Sequence, residues 1–397
     1  MEPVLKSLTL KNYRSVVAER IEFDNPTFLV GPNASGKSNI VDAIAFLAEA
    51  MTQPLPAVFE RRGGVDKVRN ALANSSGSSL AVGVEIGGAD WTARYALEVQ
   101  IPDGPAKRVF EVVREQCIVE SPGRQDWFDR RNGTLQSNVG AQLQARPEYL
   151  VMPILGGLTQ LNAALQVLMS MRVYAIRPDN MREARTPDSG EVLLRDGSNI
   201  ASVVERIIAS RRSSHIDINA ELWDPLRVVL PGLDYVIAKS ETGKITLEFR
   251  QSIKNSPMTF EASAMSDGTM RTLGFLAAIL QQQKPSVLVI EEPEASIHPA
   301  AAMGIMQDIL HSYSEDRQII VTSHSTDLLD TKWIGHRHLR VVSWQDGETR
   351  VTRVSKGTSN ILDRHLAYAG EALRTNMLHA PDPLPPPSDL HLFRELP

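Results

Sequence analysis

The stretch "TFLVGPNASGKSNIVDAIAFLAEAM", starting at Thr27, constrains this chain more than any other. Residues 27 to 30 read as a short buried strand, and a helix pattern follows the glycine-rich loop. Strand, loop and helix in that order form the setting in which backbone amides cradle phosphates. The loop fits G-x4-G-K-S at Gly31, Gly36, Lys37 and Ser38, with Asn33 inside it and Asn39 after it. Lys37 is placed to reach β and γ phosphates, and Ser38 to ligate Mg2+.

Two further strand ends carry polar groups. In "VLVIEEPEASIHP" four apolar residues run into Glu291 and Glu292. Acids ending a buried strand fall at its C-terminal edge, where open α/β sheets bind ligands. Glu291 then suits Mg2+, directly or through water, and Glu292 suits a general base that orients the attacking water. The plain alternative is a pair of surface acids. "IIVTSHSTDLL" repeats the layout and puts His324 at a strand end, facing a γ-phosphate or that water. His298, His311, His336 and His338 lack such placement and read as surface or structural.

A third segment, "AMSDGTMRTLGFLAAIL", opens an apolar helix at Ser266, Asp267 and Gly268. Ser266 or Asp267 can cap it. A free helix start also draws anions, and glycine permits close approach.

Between these motifs the chain changes character. Residues 4 to 30 read as two strands. Alternation at 80–86 and 91–101 around "GGAD" gives a hairpin, and 108–119 a third strand. Leu158, Leu161, Leu165 and Leu168 form a helix stripe, either a short coiled arm or a plain buried helix. Residues 233–251 read as a hairpin, 299–313 as a helix, and 339–355 as a closing hairpin. "NILDRHLAYAGEALRTNML" reads as one helix, and "PDPLPPP" at 381–387 as an extended tail. The expected division is 1–60, an N-terminal lobe; 61–135, an antiparallel β subdomain; 136–262, a helical and β insertion; 263–380, a C-terminal lobe; and 381–397, a proline-rich tail. The fold class is α/β, split by the insertion.

The net charge of −5 argues against coating nucleic acid by bulk charge. Cys117 is the one cysteine, so no internal disulfide can form. No apolar run approaches the ~20 residues that span a bilayer. The N-terminus reads as a strand and not a signal peptide. A soluble cytoplasmic protein without a membrane partner is expected.

Together "GPNASGKSN", "SDGT", "IEEPE" and "TSHS" resemble the Walker A, signature, Walker B with D-loop, and switch-histidine elements of P-loop ABC-type ATPase heads. "LKSLTLKNYRS" and Asn39 resemble the SMC/RecF branch. The pattern, with "YAIRPDNMR" and "DGSN", is similar to the OLD-like, RecF-like bacterial AAA ATPases found in antiphage systems. Many ABC heads carry aspartate at the position of Glu291, and "MSDGT" differs from the transporter signature. No Q-loop glutamine is placed.

The resemblance implies ATP and Mg2+ as cofactors, and Arg14 in "NYRS" as a nucleotide contact. It also implies that Ser266 and Gly268 cap the γ-phosphate of ATP held by a second head. The expected unit is a homodimer or higher homo-oligomer, clasped by ATP and released on hydrolysis. A separately encoded effector, a nuclease or toxin, is the expected partner, with DNA left open as a further contact. OLD nucleases add a Toprim domain with a glutamate and a DxD metal pair. The 67 residues after Asp330 hold no DxD, so no nuclease is expected in this chain. The alternative function is an ATP-stabilised scaffold with little turnover. A transporter subunit fits badly, because its Walker-to-signature gap is far shorter.

Overall fold

The computed structural model describes residues 4–71, 79–101, 110–140, 143–144, 146–214, 217–254, 256–295, 300–378 and 390–396. The segment "PDPLPPP" and His298 lie outside the described residues. The strands are β1 (Leu5–Tyr13), β2 (Val16–Glu22), β3 (Thr27–Val30), β4 (Ser79–Gly87), β5 (Thr92–Gln100), β6 (Glu111–Ser121), β7 (Arg124–Arg131), β8 (Thr134–Ser137), β9 (Arg172–Tyr174), β10 (Leu233–Glu241), β11 (Lys244–Ile253), β12 (Ser256–Glu261), β13 (Val287–Glu291), β14 (Gln318–Ser323), β15 (Leu339–Gln345) and β16 (Glu348–Thr352).

These strands form three sheets. A mixed sheet of order β16-β15-β3-β14-β13-β9 is parallel except for β16. An antiparallel sheet runs β2-β1-β4-β5-β6-β7-β8, and β10-β11-β12 form a small third sheet. Strands β13 and β14 are apolar at successive positions because both their faces are covered. Val287 and Val289 join the core around helix Lys37–Ala50, while Leu288 and Ile290 join the core around helix Asp267–Leu280. Each fully buried aliphatic side chain contributes about 1.5–3 kcal/mol.

Helix Lys37–Ala50 shares its core with the inner residues of the antiparallel sheet, among them Leu8, Val82 and Tyr95, and so lies between two sheets. This explains why Ile40 to Leu47 are all buried, including Asp42. The buried Gln318 at the start of β14 ties the sheets together. Its Oε1 accepts from Leu5 N at 2.7 Å and its Nε2 donates to Leu5 O at 2.9 Å.

Several local expectations change. Residues 4 to 30 form three strands, and β1 and β2 belong to a different sheet from β3. The 158–168 stripe is divided between helices Met152–Leu158 and Asn162–Ser170. The long C-terminal helix is two, Lys356–Asp363 and Ala369–Arg374, with His365 at φ 51° between them. Apolar spacing alone did not reveal these breaks, because each helix keeps its buried face on the same core.

Candidate functional site

The loop after β3 is shaped by what closes over it. A Cβ on Gly31 would lie 2.1 Å from the carbonyl oxygen of Val342 on β15. Gly36 has φ 105°, and a Cβ there would lie 1.9 Å from Thr349 Oγ1 on β16. Both glycines are therefore required by close approach, and Gly36 also by its left-handed backbone. Thr349 Oγ1 donates to Ser35 O at 3.0 Å and lies 2.6 Å from Ser15 Oγ. Asn39 Nδ2 donates to the same Ser15 hydroxyl at 2.6 Å. The β1–β2 turn, the loop and β16 are thus held at one knot.

Lys37 is buried, and its Nζ donates to Gly31 O at 2.7 Å and Pro32 O at 2.9 Å. Burial pulls its pKa down from the ordinary lysine value, opposed by the charges of Glu292 and Glu294. Asn33 to Asn39 and Glu292 line one cavity of about 510 Å³. The loop and the end of β13 therefore meet at this cavity. A cavity of similar size, about 490 Å³, between Met51, Leu55, Tyr149 and Ile154 is lined without a single carboxylate.

Parallel pairing of β13 with β14 brings their C-terminal ends together. Glu292 has φ 43°, sparsely populated for a residue with a side chain. Its N–H donates to Thr322 O at 3.1 Å and Thr322 Oγ1 at 3.2 Å. His324 Nδ1 lies 3.4 Å from Glu292 Oε1. Sequence reasoning passed over Glu294, whose Oε1 accepts from Ser323 Oγ at 2.6 Å. Its Oε2 is buried without a hydrogen-bond partner among the described residues. Burial raises the Glu294 pKa, against the lowering effect of the Ser323 bond.

Comparison with known proteins extends this picture. Residues 184–330 match the family model described as "AAA domain, putative AbiEii toxin, Type IV TA system", and residues 4–80 the model described as "AAA ATPase domain". The Old nuclease of Escherichia phage P2 is 21% identical over 356 residues, covering 83% of this chain and 57% of that protein. A 45-residue stretch is 49% identical to the DNA replication and repair protein RecF of Acaryochloris marina, 11% of this chain and 12% of the relative. The head of an SMC protein, solved with the C-winged helix domain of ScpA, has the same fold. Its TM-score is 0.54 at 16% identity, over 90% of this chain and 99% of that one. In sequence the chain is similar to OLD- and RecF-type AAA ATPases, and in fold to an SMC head. It spans 57% of the length of Old nuclease and 12% of that of RecF.

In this head the other expected residues stand apart from the cavity lining. Ser266 caps helix Asp267–Leu280, accepting from Thr269 N at 3.2 Å. Neither Ser266 nor Gly268 lines the cavity that holds Lys37. Arg14 sits at φ 49° in the β1–β2 turn, and its Nε donates to Asp42 Oδ2 at 2.7 Å. Tyr13 Oη and Arg62 Nε donate to the same carboxylate at 2.9 and 3.1 Å. Burial alone would raise the Asp42 pKa, but Arg62 and Arg14 outweigh it and hold the carboxyl below its usual range.

Glu291 meets an arginine the sequence did not single out. Arg195 Nη2 donates to Glu291 Oε1 at 3.1 Å, and its Nη1 lies 3.5 Å from Asp42 Oδ1. The same stretch reaches the signature helix. Arg182 Nη2 donates to Met265 O at 2.9 Å and Asp267 Oδ1 at 2.5 Å, while Asn180 Nδ2 donates to Asp196 Oδ2 at 2.7 Å. No sequence spacing marks Arg195 or Arg182. Asp42 left a faint sign, a charge on an otherwise apolar helix.

Proposed function

We propose that the chain is an ATP-binding and hydrolysing switch that pairs head to head around ATP and controls a partner effector, in antiphage defence or DNA repair. The observation that carries this reading is the single cavity shared by Lys37, Ser38 and Glu292. Backbone amides of the loop and the Lys37 ammonium hold the phosphates. Glu292 takes the proton of the attacking water, and His324 beside it orients that water or the γ-phosphate.

Ser38 and Glu291 would hold Mg2+. Among the described residues no three His, Cys, Asp or Glu side chains cluster for a metal. A hydroxyl and one carboxylate suit Mg2+, which keeps waters and takes further oxygens from phosphates, and Glu291, which pairs with Arg195 outside the Ser38 cavity lining, would reach the ion through water. When bound, Mg2+ supplies positive charge to phosphate oxygens.

Ser266 and Gly268 lie outside the lining of their own cavity, which supports a role at the ATP of a second copy. Two such copies form an isologous pair with two composite sites. The names of the relatives, a nuclease and a DNA repair protein, support an effector or DNA-linked setting. ATP turnover by the purified chain is the test, alone and with DNA. Glu292→Gln should keep ATP binding, lower turnover by ~100-fold or more, and accumulate ATP-dependent pairs. Wild-type chain that assembles on ATP yet never turns over would instead make it a scaffold.

A further inference from the structure

The outer face of the antiparallel sheet carries an unusual row. Gly83 on β4, Ala96 on β5, Gln116 on β6 and Asp129 on β7 are successive register partners. Side chains at paired positions share a face, so these four form one line across the strands. Its first two members are the smallest residues available, and they leave a trough.

Residues 390–396 lie in that trough. A Cβ on Gly83 would come within 2.8 Å of Leu392 Cδ2, so the leucine rests where a side chain would otherwise stand. The Phe393 ring lies under the Arg114 guanidinium at 4.3 Å. The Gln116 amide reads backbone alone: its Oε1 accepts from Arg394 N at 2.9 Å and its Nε2 donates to Arg394 O at 2.9 Å. Gln116 is buried, and its Nε2 also donates to Asp129 Oδ2 at 3.0 Å, which fixes the orientation of the amide. Arg394 Nη1 pairs with Glu120 at 2.9 Å. A pinned amide that bonds both the N–H and the C=O of one residue is how a protein holds an extended peptide of defined register.

We propose that this sheet face is a linear-peptide site whose occupant is the chain's own segment Leu390–Leu396, held reversibly in cis. Leucine, phenylalanine and arginine in succession are what the trough, Arg114 and Glu120 recognise. Eleven residues, five of them proline, separate Leu378 from Leu390. Proline in that number disfavours both strand and helix by sequence alone.

The test uses full-length chain and a fluorophore-labelled LHLFREL peptide. A tail variant carrying Leu392→Ser, Phe393→Ala and Arg394→Glu empties the trough without touching the sheet. Labelled peptide should bind this variant at least ~10-fold more tightly than it binds wild-type chain, whose own segment competes. Adding Arg114→Ala to the tail variant, or replacing phenylalanine and arginine in the peptide, should weaken binding by ~10-fold. Equal binding to wild type and tail variant, no binding to either, or indifference to those replacements would overturn the proposal.

Discussion

Arg195 and Glu291, 96 positions apart in sequence, are joined by an Nη2–H···Oε1 bond of 3.1 Å. The arginine is 40% exposed and the glutamate 14%. The pair holds the carboxylate at the end of β13 in one orientation and links it to the stretch that also grips Asp267. Arg195→Ala should therefore disturb turnover more than ATP affinity, lowering kcat by ~10-fold or more while Kd moves little. Arg195→Lys should recover part of the loss. An ATP Kd that rises in step with the fall in kcat would mean that Arg195 serves binding, not orientation.

Lys37→Ala should remove most ATP affinity, since it deletes the ammonium proposed to meet the β and γ phosphates. Calorimetry showing unchanged affinity would sink the assignment of the loop. Gly36→Ala should fail in the same assay for a different reason. Its Cβ strikes Thr349 and its backbone sits at φ 105°, so the loop itself must move.

A bulky residue at Ser266 or Gly268 should block turnover and ATP-driven pairing while sparing binding by the single head. Mixed with Lys37→Ala chain, it should recover about half of one pair's activity, because one composite site is then intact. Silence in a mixture with demonstrated hetero-pairs would argue that the signature helix serves another purpose.

Asp42 gives a pH signature. Its carboxyl titrates below the unfolded value of about 4, because Arg62 and Arg14 outweigh the effect of burial. The stabilisation it contributes is complete above pH ~4 and is lost as pH falls through the lower, folded value. Asp42→Asn should cost about 2 kcal/mol at pH 7, because Arg14 loses its carboxylate and Arg62 keeps only Glu49. The gap to wild type should shrink in urea melts at pH 3. A gap of equal size at both pH values would remove Asp42 from the cluster's electrostatics.

The sequence by itself determined the strand, loop and helix around Lys37, the ends of β13 and β14, and a helix start capped at Ser266 or Asp267. Each rests on local physics: period-two or period-3.6 burial, a glycine demanded by the backbone, a hydroxyl beside free N–H groups. The register that sets Glu292 beside His324 was decided in the sheet, since two strands buried on both faces favour no one alignment. Tertiary structure alone decided the rest. Thr349 closing on Gly36, Ser15 joining Asn39 to β16, Arg195 reaching both Glu291 and Asp42, and residues 390–396 lying on Gly83 and Gln116 are contacts between distant segments. No spacing encodes them, because a charged or hydroxyl side chain carries no period that names its partner. Burial strengthens the contacts of Thr349 and Gln116 once they form, while Arg195 acts from a partly exposed position. Only the packing of sheets about one helix determines which of them forms.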